Sequence, residues 1–264
     1  MVASWQHYGT YDESAHPDLW DGVVGYWAPC LGPTGLRLHD VSRWNNWGTL
    51  INMDAATDWV VSDGRYALDF DGSNDYVRMP RPSQIPQSNA DKFTIATWVL
   101  LRQGYGKLLD VNSTTGIIVY ASTVGNLSGG IQMGVGTTYP ITSATQLTAN
   151  TWTLLTIVFN DKNVQLYFNG RSDGSGTSAQ RPDFSTASFD LGGTGGVETA
   201  NGQIDDFVVW NRDLSAGEVA ALHRLGRGGM LQRRPRRRVY TEPAGFRAHY
   251  ATQRNAQLIG GGLR

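Results

Sequence analysis

Cysteine is almost absent from this sequence. Of 264 residues only Cys30 carries a thiol, which excludes an intrachain disulfide and any zinc site built on several thiolates. The fold must close without covalent staples, and a lone cysteine of this kind is expected to serve as a small buried apolar residue. Glutamate is scarce too: Glu13, Glu198, Glu218 and Glu242 are the full set, and none lies on a segment with strand character. Glycoside hydrolysis needs two carboxyls roughly 5–9 Å apart with one held protonated, and no convincing pair is legible, so the chain is expected not to be an enzyme. Long apolar runs are missing as well. The start, MVASWQHYGTYDESAHPDLW, has neither a basic leader nor an apolar stretch, so no classical signal peptide and no membrane partner are expected.

What is present is glycine and aromatic side chains, with 32 Gly, 9 Trp and 11% aromatic residues. Glycine at that level suggests many tight turns, and the aromatic content can fill a sizeable core. From about residue 22 to 225, apolar runs alternate with Gly, Asn, Asp and Pro clusters, the spacing of short strands joined by turns. FTIATWVLL (93–101), TWTLLTIVF (151–159), VQLYF (164–168) and IDDFVVW (204–210) are rich in β-branched and aromatic residues. The second and third are expected to form a hairpin across Asn160-Asp161-Lys162-Asn163, with Asn169-Gly170 as the next turn. One short helix is expected, from Ser215 to about Leu225, with Ser215 and Glu218 as a capping box and Gly226 as its stop.

Net charge is −1, but it is unevenly distributed. Residues 224–264 hold ten arginines against Glu242, a net charge of +9, which leaves −10 for the rest of the chain. A basic arm on an acidic body marks an interaction segment for nucleic acid, a membrane surface or an acidic partner. Arg233, Arg234, Arg236, Arg237 and Arg238 could neutralise phosphates, or form a solvated tail. With Tyr240, Phe246 and Tyr250 interleaved as anchors, they could also dock on another protein subunit. The alternation of arginine with aromatic residues favours docking to protein over nucleic acid.

Several segments, in chain order, resemble laminin G-like jelly rolls of the concanavalin superfamily. They are GVVGYW (22–27), DVSRWNNWGTLIN (40–52), ALDFDGSNDYV (67–77), FTIATWVLL, NTWTLLTIVFNDKNVQLYFNGR (150–171) and GQIDDFVVWNRDLSAGEVAALH (202–223). Thr153 stands where relatives often have His. The resemblance implies an all-β, two-sheet antiparallel jelly-roll sandwich (concanavalin-like) with one short C-terminal helix and an extended basic C-terminal arm. The expected organisation is an N-terminal extension over 1–21, the jelly roll over 22–225 and the arm over 226–264. Some relatives hold calcium near the DFDGSND loop and the Ile-Asp strand. Asp71, Asn74, Asp75 and Asp205 are therefore the candidate ligands for Ca2+, a cation that wants six or more oxygens. Equally, Asp71 and Asn74 could simply shape a turn, and Asp205 on a core strand must be satisfied by backbone donors or an ion.

Exposed loop aromatics can stack on sugars. Trp44, Trp47, Trp59, Tyr105, Tyr120 and Tyr139 are candidates, with Asn46 and Asn126 as polar partners; core filling is the competing role. Gly170-Arg171-Ser172-Asp173-Gly174 has the spacing of a hydrolase nucleophile elbow, but that motif needs a strand running into a helix, and SGTSAQRPDF directly after it has the composition of a loop. The residues point to a binding or structural module. The expectation is a virion surface or decoration protein with the jelly roll displayed and the arm docked on other capsid subunits. The alternative is a stand-alone carbohydrate-binding or adhesion domain, extracellular or at a cell surface, binding surface glycans.

Overall fold

A computed structural model describes residues 13–86, 90–102, 106–111, 116–121, 131–135, 138–184, 188–194 and 198–231. In chain order these form α1 (Pro17–Trp20), β1 (Val23–Trp27), β2 (Arg37–Leu38), β3 (Gly48–Ile51), β4 (Trp59–Ser62), β5 (Arg65–Asp71) and β6 (Tyr76–Pro80). They continue with β7 (Lys92–Leu101), β8 (Gly106–Val111), β9 (Ile117–Ala121), β10 (Ile131–Val135), β11 (Thr138–Thr142), β12 (Thr153–Asn160) and β13 (Asn163–Phe168). The last elements are β14 (Arg171–Thr177), β15 (Ser188–Leu191), β16 (Asn201–Trp210) and α2 (Ala216–Leu225).

The strands make two antiparallel sheets. One, sheet A, runs β14-β13-β12-β7-β16-β5-β4 with β1 also on β16; the other, sheet B, runs β11-β10-β9-β8-β15-β6-β3-β2. The expected hairpin is β12–β13, closed by the pair Asn160 and Asn163 with Asp161 at φ 60°. The Asn169-Gly170 turn comes next, at φ 49° and 77°. At Gly170 a Cβ would sit 2.8 Å from that of His223, so this turn requires glycine both for its backbone and for its approach to α2. The helix forms as expected, with the reciprocal Ser215–Glu218 capping box and Gly226 at its end.

Period-2 alternation sends Leu68, Phe70, Val77, Phe93, Phe159, Phe189 and Phe207 into the space between the sheets, where Phe93 stacks on Phe159 at 4.1 Å. A second apolar cluster lies on the outside of sheet A, where Trp20, Tyr26, Trp98 and Trp210 meet Val219 and Leu222 of α2. The Trp210 indole donates to Leu19 O at 2.7 Å and that of Trp20 to Met230 O at 3.3 Å. These contacts tie the segments on either side of the sandwich to sheet A. Residues 13–21 belong to the body because Leu19 and Trp20 bury their side chains in it, and 226–231 belong to it through buried Met230. The chain divides into two units, residues 1–232 and residues 233–264.

Candidate functional site

Sheet B turns its other face outward, and strand register decides what stands there. Leu38, Leu50, Val77, Met79, Phe189, Leu191, Leu109 and Val111 point into the core, so their neighbours point out. Cross-strand pairing aligns Arg37, Thr49, Arg78, Asp190, Asp110 and Ile118 in one row. At a strand spacing of about 4.8 Å the row runs roughly 24 Å.

The row is chemically dense. Arg78 grips Asp190 with two bonds, Nε to Oδ1 at 3.0 Å and Nη2 to Oδ2 at 2.8 Å, and Ser188 Oγ donates to the same carboxylate at 3.0 Å. Asp190 anchors Arg78, whose side chain stays 48% exposed and whose guanidinium lies 5.2 Å from the Tyr76 ring centre. Next to it, Lys107 Nζ binds Asp110 Oδ2 at 3.1 Å and approaches Glu198 at 3.6 Å. The Tyr120 hydroxyl donates to Glu198 at 3.0 Å, with Lys107 Nζ 5.8 Å from its ring. Forked arginine–carboxylate pairs and aromatic faces are the two groups that read sugar hydroxyls and sugar rings.

At the β2–β3 edge this face ends in Trp47. The ladder continues past the strand ends, so His39 stands opposite Trp47 and the rings stack at 4.3 Å and 21°. Trp47 is 40% exposed and Trp44 is 44% exposed. The loop that displays them is built by buried Asp40. Its Oδ1 accepts from the amides of Tyr26 and Ser42 at 2.9 Å, and its Oδ2 from Asn46 N at 2.8 Å. Of the sequence candidates, Trp47 and Tyr120 are brought onto one face, while Trp44 lies on the Asp40 loop with its indole donating to Val23 O of β1 at 3.1 Å. Asn46 Nδ2 donates to Val24 O at 2.9 Å, which helps to hold the loop. Trp59 is core, 7% exposed, with its indole on Gly35 O. Tyr105, Asn126 and the side chain of Tyr139 lie outside the described residues, as do Arg233, Arg234, Arg236, Arg237, Arg238, Tyr240, Phe246 and Tyr250.

Asp110 and Asp190 face each other across β8 and β15, a pair no spacing in the sequence reveals because 80 residues separate them. Each is bound to its own cation, Asp190 to Arg78 and Asp110 to Lys107. The Gly170–Gly174 segment forms part of β14, an edge strand, so no nucleophile elbow exists there. Ser172, Asp173 and His223 do line one open cleft of about 440 Å3, but they do not form a relay. Ser172 Oγ accepts from Gln165, both carboxylate oxygens of Asp173 take Thr145 N, and the His223 ring stacks near Trp98 at 5.8 Å.

The four candidate calcium ligands do not converge. Asp71 and Asn201 are cross-strand partners, and Asp205 lies four residues further along β16, about 13 Å away. At the turn, Asp71 Oδ1 accepts from Ser73 N at 2.7 Å and Asn74 N at 3.4 Å, while Asp75 Oδ2 accepts from Asp71 N at 3.0 Å. This is the local turn chemistry that competes with a metal role, and the set does not fit one calcium centre. Burial raises the Asp75 carboxyl to about 6.

Asp205 instead joins Asp206 and Cys30 in a buried cluster that sequence spacing did not show. A bulge between Asp205 and Val208, with Asp206 at φ 48°, lets two successive acids serve the same side of the sheet. Asp205 Oδ1 accepts from Cys30 N at 3.1 Å and Asp206 N at 2.9 Å; Asp206 accepts from the Tyr26 hydroxyl at 2.9 Å and from Gly228 N. Arg227 Nε stands 3.9 Å from Asp205 Oδ2, and its guanidinium lies 4.0 Å from the Trp152 ring centre. Burial pushes both carboxyls upward and, with the two acids, pushes the Cys30 thiol far above its usual range. A protonated thiol is the opposite of a metal ligand. The cluster's work is to pin residues 227–230 to β16.

The family model described as the concanavalin A-like lectin/glucanases superfamily matches residues 71–220. The chain belongs to that superfamily. Its fold is similar to domain 4 of AbnA, a GH43 extracellular arabinanase from Geobacillus stearothermophilus solved with arabinotriose. The TM-score is 0.60 at 18% identity, covering 76% of this chain and 98% of that one. The binding domain of Paraclostridial Mosquitocidal Protein 1 gives 0.60 at 18% identity over 78% of this chain and 52% of that one. Trypanosoma rangeli sialidase in complex with sialic acid gives 0.58 at 19%, over 77% of this chain and 33% of that one. At these identities the likeness is one of fold, a fold present both in binding domains and in chains of glycosidases. No curated protein sequence matches the chain.

Proposed function

We propose that the chain is a non-catalytic glycan-binding module whose sugar site is the outward face of sheet B. The observation that carries this is the make-up of that face, where the row through the Arg78–Asp190 fork and Asp110 is flanked by Trp47 at the β2–β3 edge and by the Lys107–Tyr120 pair at the β8–β9 side. Two similar domains bear names that fit, one solved with arabinotriose and one called a binding domain. A glycan array probed with the full-length chain, followed by calorimetry on the strongest hit, tests the reading. Trp47→Ala and Arg78→Ala should each weaken binding at least about tenfold, the worth of one stacked ring or one forked pair. Unaltered affinity in both variants sinks the assignment of the face.

The charge division favours a second element of function. The +9 arm on a −10 body suits a module held to other subunits of a larger assembly, with the sheet B face displayed, and a virion surface is the setting we propose for it. Light scattering of the full-length chain at low and high salt tests this: assemblies that dissociate as salt rises support an arginine-mediated anchor, whereas a monomer at both salts removes it. No helix among the described residues is long and apolar enough to cross a membrane.

A further inference from the structure

The outward face of sheet B is not electrically uniform along its length. Toward β8 and β9 every cation has a carboxylate: Arg78 has Asp190, and Lys107 has Asp110 and Glu198. At the β2–β3 edge this balance fails. Arg37 is exposed, and among the described residues no carboxylate lies within ion-pair distance of it. Its guanidinium carbon stands 5.7 Å from the Trp47 ring centre, and Thr49 is the cross-strand partner of both Arg37 and Arg78. Asp40 is buried with its two oxygens taken by amides and the Ser42 hydroxyl, so it does not neutralise this rim. Burial and Arg37 together push the neighbouring His39 downward, which leaves the guanidinium as the cation of this edge.

An indole 40% exposed, with His39 stacked on it, beside a guanidinium that has no carboxylate partner among the described residues offers an apolar ring surface and a fork of donors, the complement of a sugar ring that bears a carboxylate. We infer that the Trp47–Arg37 end of the face takes the uronic acid residue of an acidic glycan, the ring lying on Trp47 and the carboxylate on Arg37. This rests on the sheet B face being the glycan site. The ligand is thereby oriented, its acidic residue at the β2–β3 edge and its neutral residues along Arg78–Asp190.

The test is calorimetry on the full-length chain with trigalacturonate and with a mannuronate trimer, each beside its methyl ester, which keeps the ring and removes the charge. At least one acid should bind about tenfold more tightly than its ester, the worth of one charge-assisted pair, and the ratio should fall in high salt. Arg37→Gln should bring acid and ester together without changing the ester, and Trp47→Ala should weaken both. Esters that equal the acids, or a ratio that survives Arg37→Gln, overturn the inference. If neutral glycans on the array bind through Trp47 and Arg78 while neither acid does, the inference fails and the glycan face stands. If no glycan binds, the face itself fails.

Discussion

The two sheets bury the same kind of inner face and differ in their outer ones. Outside sheet A, α1, α2 and the 226–231 segment close a second apolar cluster over Trp98 and Trp210. Outside sheet B, the row from Arg37 to Ile118 carries ion pairs and is flanked by the rings of Trp47, Tyr76 and Tyr120. A covered face can use its acids only for structure, as Asp205 and Asp206 do. On the sheet B face the Arg78 side chain, 48% exposed, can meet a ligand, and a partly exposed ion pair of this kind adds little to stability.

That contrast can be broken in order of effect. Trp210→Ala, which empties the fully buried centre of the sheet A cover, should cost about 3–5 kcal/mol in urea unfolding. Asp206→Ala strands the Gly228 amide and the Tyr26 hydroxyl and should cost about 2–3 kcal/mol. On sheet B, Arg78→Ala should cost no more than about 1 kcal/mol while weakening glycan binding at least about tenfold; a loss as large as that of Trp210→Ala would make the fork structural.

Two smaller effects concern the Asp71–Asp75 turn. Asp75 titrates upward to about 6 through burial, so its carboxyl favours the fold when protonated. That contribution is full below the unfolded value near 4 and is lost as pH rises through about 6. Asp75→Asn should flatten the pH dependence of thermal stability across this window, and a slope unchanged by the substitution would assign it elsewhere. Calcium, with only three of its four candidate ligands at one turn, should leave the melting temperature the same in EDTA and in millimolar calcium. A rise with calcium would restore a metal site there.

Much of the fold was legible from residue order. β7, β12–β13, β16 and the capped helix arise from β-branched runs, Asn-Gly turns and a capping box, all local signals. Trp47 and Trp59 show the limit. Both are tryptophans in polar surroundings, yet one sits on the outward face and the other in the core, because strand register, a non-local pairing, sets the side. For Asp205 the sequence signals a need for backbone donors or an ion, but not which groups meet it: its partners Cys30 and Arg227 come from segments 175 residues before it and 22 after it.

The sequence by itself determined the strands, the turns, the helix and the charge split, since each depends on neighbours along the chain. Only the tertiary structure decided that Asp110 meets Asp190, that Arg37 stands beside Trp47 with no acid paired to it among the described residues, and that Asp205 belongs with Cys30 rather than Asp71. Those pairings arise when strands distant in sequence come to lie about 5 Å apart in a sheet, and no local pattern encodes which strand becomes whose neighbour.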